Sequence, residues 1–105
     1  MEKQKILIAD DSEMNRALLV DILENQYDIV EADNGAAAID LLTQCGGDFS
    51  LLLLDIMMPE MDGFEVLAYI NRYHLNDTLA VIMISADDSP ANIKRAYDLG
   101  AFDYI

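Results

Sequence analysis

Basic residues and cysteines are scarce in this sequence. Against 20 aspartates and glutamates there are only six lysines and arginines, which gives a formal net charge of −14. A surface this acidic repels phosphate backbones, so we expect no direct nucleic-acid binding by this chain. It suits a domain that attracts cations or docks on basic partners. The single cysteine, Cys45, excludes an internal disulfide and favours a reducing, cytoplasmic setting.

Long hydrophobic runs are also missing. No apolar stretch approaches the length of a membrane span, and the opening "MEKQK" is not followed by the features of a secretion signal. These absences predict a soluble, intracellular protein. At 105 residues, of which 53% are hydrophobic, the chain is long enough for one globular domain with a real core.

Short apolar runs alternate with segments of helical periodicity along the whole chain. The runs predict strands at residues 5–9, 27–32, 49–55, 79–85 and 101–105. The segments between them predict helices over residues 13–25 and 35–45, after Asp62, and over 90–99, with Asn34, Asp62 and Ser89 as N-caps. This alternation is typical of an α/β domain with a parallel sheet, in which ligands bind at the carboxyl ends of the strands.

Polar side chains stand where three of these strands end. The first strand ends in Asp10 and Asp11, the third in Asp55 and the fourth in Ser85. Three carboxylates at one edge repel one another unless a cation intervenes, and Mg²⁺ prefers such oxygen ligands. A hydroxyl at Ser85 suits a phosphoryl oxygen. A carboxylate in these surroundings can act as a nucleophile towards phosphorus.

The motifs that carry this pattern occur together in one order. They are "ADD" at 9–11, "LLLLDIMMPEMDGFE" at 51–65, "ISA" at 84–86 and "GAFDYI" at 100–105. Each is weak alone, but at these spacings the chain resembles, over its whole length, the receiver domain of two-component response regulators, including the chemotaxis regulators. The resemblance implies a doubly wound, flavodoxin-like sheet of five parallel strands in the order 2-1-3-4-5.

The same resemblance implies roles for the acidic residues. Asp55 would be the phosphoacceptor, which takes a phosphoryl group from a histidine kinase or a phosphotransfer protein. Asp11 would bind Mg²⁺ directly and Asp10 mainly through water, with Asp55 and the backbone carbonyl of Met57 as further ligands. The chain would then be a signalling switch that assists its own phosphorylation and dephosphorylation, and not a turnover enzyme.

Two further positions match the switching residues of the resembled family. Ser85 would be the hydroxyl that moves to bond the phosphoryl group, and Tyr104 the aromatic ring that rotates inward when Ser85 moves. An output domain or partner protein would read the face formed by residues 90–105. Met57 and Asp87 fall at positions that tune the lifetime of the phosphoryl group, and the methionine favours slow self-dephosphorylation.

The sequence departs from the family pattern at its carboxyl end. The pattern continues "DYI-x-K-P", so the expected lysine lies two residues beyond Ile105, and a final helix would follow it. We therefore expect residues 1–105 to be a receiver domain truncated before that lysine and helix. Arg16 is only a weak candidate to replace the lysine. An uncovered apolar face would favour a dimer or domain swap.

Two other function classes stay open at this point. The chain could be a scaffold with a receiver fold that is not phosphorylated, which the missing lysine favours and the intact acidic triad opposes. It could also be a phosphohydrolase with an aspartate nucleophile. Many such enzymes carry a second aspartate two residues after the first as acid/base, whereas this chain has Met57 there.

Overall fold

A computed structural model describes residues 3–45, 48–75, 79–84 and 89–105 of the chain. The strands are β1 (Lys5–Ala9), β2 (Asp28–Ala32), β3 (Phe49–Asp55), β4 (Ala80–Ile84) and β5 (Asp103–Tyr104). The helices of the described residues are α1 (Glu13–Leu23), α2 (Gly35–Cys45), α3 (Gly63–Arg72) and α4 (Pro90–Asp98). None of these helices is long and apolar enough to span a membrane.

The five strands form one parallel sheet in the order β2-β1-β3-β4-β5. This confirms the predicted α/β class, the strand order and the doubly wound connection. Because every strand runs in the same direction, all of the carboxyl ends lie along one edge. The order also places the end of β1 directly beside the end of β3, through pairs such as Ala9 with Leu54.

The sheet divides the core into two unequal parts. Successive side chains of a strand point to opposite faces, so Leu7, Leu52 and Leu54 enter the larger cluster, which α2, α3 and α4 cover. Ile6, Ile8 and Leu53 point to the other face, where Leu19, Val20 and Leu23 of α1 pack against them. Among the described residues, α1 is the only helix on that second face.

Helix α1 is anchored less firmly than the other helices. All of its residues are described, and none of them is buried. Only part of the predicted apolar stripe packs against the sheet. Met14, Leu18 and Ile22 are 74%, 59% and 71% exposed. An apolar row therefore lies in solvent beside the smaller core.

The predicted caps are present, but several element bounds differ from the sequence prediction. Asn34 and Asp62 accept hydrogen bonds from the third residue after them, and Ser89 precedes Pro90 at the first position of α4. Helix α1 ends at Leu23 and not at residue 25, and α4 ends at Asp98 and not at residue 99. Strand β2 begins at Asp28 and not at residue 27, and β4 begins at Ala80 and not at residue 79. Strand β5 is shorter than predicted, with two residues in place of five.

Candidate functional site

The turn after β1 holds the first two acidic residues. Asp10 is buried, with 5% of its surface exposed, while Asp11 is exposed. One Asp10 carboxylate oxygen accepts a hydrogen bond of 2.8 Å from the Ser12 N–H, and Ser12 in turn caps α1 at Asn15. The side chain of Asp10 is therefore oriented by the helix start, whereas Asp11 presents its carboxylate to solvent.

Asp55 is the last residue of β3 and is partly buried. The loop that follows returns to it closely, because the Gly63 N–H bonds to the Ile56 carbonyl at 2.8 Å. A Cβ atom on Gly63 would overlap the Asp55 carbonyl oxygen and lie 2.8 Å from the Ile56 Cα. Glycine is thus required at the start of α3 so that the helix can approach the end of β3.

The three acidic side chains meet at the carboxyl edge of the sheet. One carboxylate oxygen from each of Asp10, Asp11 and Asp55 lies within 4.8 Å of the other two. Mg²⁺ holds oxygen ligands at roughly 2.1 Å, so opposite ligands stand roughly 4.2 Å apart. A small contraction, or one water between an oxygen and the ion, would fit the cluster to Mg²⁺. The donor set is all oxygen, as this hard cation requires.

The electrostatic environment raises the pKa of Asp55 to about 6. Burial is the largest cause, because it disfavours the charged carboxylate, and the negative charge of Asp10 comes second. Hydrogen bonding to the backbone of Ile56 and Met57 acts in the opposite direction, and Asp11 adds further repulsion. The site therefore carries unbalanced negative charge that a bound cation would relieve.

Of the other predicted site residues, the structure describes only Met57 and Tyr104. Met57 has a side chain that is 74% exposed and lies two residues beyond the end of β3. Tyr104 pairs with Met83 in the sheet and packs, partly buried, against the larger core. Ser85 and Asp87 lie outside the described residues. The structure thus brings together the acidic triad, while the switch roles of Ser85 and Tyr104 remain predictions.

Arg16, only a weak candidate from the sequence, contacts the backbone of the site in the structure. It lies in the second turn of α1, and its Nη1 donates a 2.6 Å hydrogen bond to the Asp10 carbonyl oxygen. Its Nε donates to Glu31 of β2 at 3.1 Å. The guanidinium therefore contacts the acidic cluster at the backbone carbonyl of Asp10 and not at its carboxylate. The adjacency of β1 and β2 was the signal that could have found it.

The fold and the acidic edge together define a class of domain that binds ligands at strand ends. The family profile described as "Response regulator receiver domain" matches residues 6–105. The chain therefore belongs to the receiver domain family of two-component response regulators. Domains of this family are generally phosphoryl-accepting signalling switches that bind Mg²⁺ in an acidic pocket and interact with histidine kinases and output domains.

Individual relatives agree with this assignment. The chain is 38% identical over 100 residues to a probable cyclic di-GMP phosphodiesterase of Vibrio cholerae, covering 95% of this chain and 22% of that protein. It is 35% identical over 102 residues to the transcriptional regulatory protein SrrA of Staphylococcus aureus, covering 96% of this chain and 40% of SrrA. The chain therefore spans less than half the length of these curated relatives.

A solved structure with a comparable level of sequence identity has the same fold. The crystal structure of the CheX-CheY-BeF3-Mg complex from Borrelia burgdorferi superposes with a TM-score of 0.89 at 30% identity. The match covers 96% of this chain and 75% of that one. Its name places Mg²⁺ and a beryllofluoride group in that complex.

Proposed function

We propose that this chain is a phosphorylation-dependent signalling switch that accepts a phosphoryl group on Asp55. The donor is a histidine kinase or a phosphotransfer protein, and the reaction depends on Mg²⁺. The convergence of carboxylate oxygens from Asp10, Asp11 and Asp55 within 4.8 Å carries this proposal. The Mg²⁺ in the name of the similar Borrelia burgdorferi complex supports the choice of ion.

The proposed transfer is a simple exchange of bonds at phosphorus. An Asp55 carboxylate oxygen forms the new bond, while the bond from phosphorus to the donor's leaving atom breaks and its electron pair stays with the donor. Bound Mg²⁺ would supply positive charge that offsets the repulsion between the attacking carboxylate and the phosphoryl oxygens. Asp11 and the Met57 carbonyl would hold the ion directly, with Asp10 acting mainly through water.

The proposed switch connects this site to the β5 edge of the sheet. Phosphorylation of Asp55 would draw in the Ser85 hydroxyl and the Tyr104 ring, and so change the face formed by residues 90–105. Phe102 is 73% exposed on that face and Tyr97 46%. A partner protein or output domain would read these aromatic side chains. A cytoplasmic location, and the boundary of the domain relative to any further segments, stay predictions.

The test is the intact mass of the protein after incubation with a small acyl phosphate and Mg²⁺. We expect wild type to gain the mass of one phosphoryl group, and we expect no gain with EDTA or in Asp55→Asn. Asp62→Asn is the matched control, because it removes one charge from the same loop while asparagine still caps α3. Stoichiometric uptake by Asp55→Asn would contradict the assignment, and turnover of a phosphate ester with Mg²⁺ would favour a hydrolase.

A further inference from the structure

Arg16 ties the metal-binding turn to two neighbouring elements. From the second turn of α1 it reaches the Asp10 carbonyl at 2.6 Å with one nitrogen and the Glu31 carboxylate at 3.1 Å with another. Its side chain is only 14% exposed, whereas that of Glu31 is 45% exposed. The Arg16 side chain is thus a largely buried, two-point link between the helix, the edge strand β2 and the end of β1.

The link holds a peptide group that matters for the site. The Asp10 carbonyl belongs to the peptide bond that precedes Asp11, and the Asp10 N–H donates to the Ala32 carbonyl at 3.0 Å. With β2 holding the N–H and Arg16 holding the carbonyl, both sides of the Asp10 backbone are fixed. The peptide group between Asp10 and Asp11 is planar, so fixing the Asp10 carbonyl also fixes the position of the Asp11 backbone nitrogen.

A structural ion pair and a positioning role make opposite predictions for metal binding. A positive charge beside a cation site opposes the cation, so removal of the charge alone would tighten Mg²⁺ binding. Removal of a positioning contact loosens the ligands and weakens binding, as it does for the outer partners of metal ligands. The sign of the change therefore separates the two roles.

We propose that Arg16 is a positioning residue for Mg²⁺ binding, which acts by fixing the Asp10–Asp11 peptide group against β2. This inference rests on the proposed function, since it assumes that the acidic cluster binds Mg²⁺. The role needs the planar fork of arginine, because two separated acceptors must be reached at once from one side chain.

The experiment is calorimetric titration of Mg²⁺ into wild type, Arg16→Met, Arg16→Lys and Arg72→Met. We expect Arg16→Met to bind roughly tenfold more weakly, although it carries one positive charge fewer. Arg16→Lys retains the charge but cannot make both contacts at once, so its affinity for Mg²⁺ should also fall below that of wild type. Arg72→Met is the control, because Arg72 ends α3 at the opposite edge of the sheet and contacts Tyr73.

Each outcome has a definite meaning. Unchanged or tighter Mg²⁺ binding by folded Arg16→Met overturns the positioning role, as does equal weakening by Arg72→Met. If Arg16→Met does not fold, Arg16→Lys decides: weaker binding at full charge supports the role, and wild-type affinity overturns it. Absence of Mg²⁺ binding by wild type would instead contradict the proposed function. Wild-type phosphorylation with unaltered Mg²⁺ affinity in both Arg16 variants would remove only the present inference.

Discussion

The raised pKa of Asp55 makes the proposed acceptor a source of instability when no cation is bound. Between about pH 6 and about pH 4 the folded protein protonates Asp55 while the unfolded chain still leaves it ionised. This group therefore contributes stability as the pH falls through that range, and its ionised form costs stability above it. A pKa shifted to about 6 in a partly exposed group corresponds to about 1–2 kcal/mol after allowance for solvent screening.

We accordingly expect Asp55→Asn to stabilise the protein by about 1–2 kcal/mol near neutral pH in EDTA. The gain should shrink as the pH approaches the ordinary pKa of aspartate, because wild type is then protonated as well. Urea unfolding across this pH range measures both effects. Asp62→Asn, which removes a charge from the same loop, should not reproduce the pH dependence. A gain that does not change with pH would argue against burial and the neighbouring Asp10 as its causes.

Gly63 is a second residue whose identity the site requires. A methyl group there would overlap the Asp55 carbonyl oxygen, and this backbone cannot move without displacing the acceptor strand. We expect Gly63→Ala to cost about 1–3 kcal/mol and to slow phosphorylation. Thermal unfolding and the rate of mass gain measure these effects. Glu65→Ala, exposed in the same helical turn, is the control. Wild-type stability of Gly63→Ala would show that the loop has room to relax.

At the scale of elements, most of the fold follows from local patterns, whereas helix ends and cross-element contacts do not. Strand ends carrying Asp10, Asp11 and Asp55 predict an acidic edge, because parallel strands share their direction. The sequence prediction ends α1 two residues too late, because no glycine or proline follows Leu23 directly. The contact of Arg16 with Glu31 also depends on how α1 lies against β2, and neither the periodic pattern of one segment nor the strand order carries that information.

The helices should differ in how readily they open. Helix α1 buries none of its residues, while α3 buries Gly63, Phe64, Val66, Leu67 and Ile70. Since local opening is easiest where few apolar contacts are lost, we expect the amides of α1 to exchange with deuterium faster than those of α3. Hydrogen exchange followed by mass spectrometry on peptides from each helix measures this. Equal protection of the two helices would mean that something else covers the Met14, Leu18 and Ile22 row.

Across the whole molecule, the net charge of −14 predicts that cations stabilise the fold in two ways, by general screening and by binding at one site. The two effects can be separated by experiment. Self-repulsion weakens the compact state, and only two ion pairs occur among the described residues, Arg16 with Glu31 and Lys94 with Asp98. Sodium chloride should therefore raise the unfolding temperature gradually and without saturation, as screening does. A bound ion stabilises differently, because its effect follows the occupancy of one site.

We expect Mg²⁺ at constant ionic strength to stabilise wild type by about 1.4 kcal/mol when its concentration is ten times its dissociation constant. The dependence on concentration should follow a single binding curve. Asp11→Asn should lose most of this response and keep the response to sodium chloride, because it removes a proposed ligand and only one of 20 acidic side chains. Thermal unfolding of both proteins in both salts measures the difference. An equal Mg²⁺ response in Asp11→Asn would assign the stabilisation to screening of the whole surface. The cluster of Asp10, Asp11 and Asp55 would then not be a specific Mg²⁺ site.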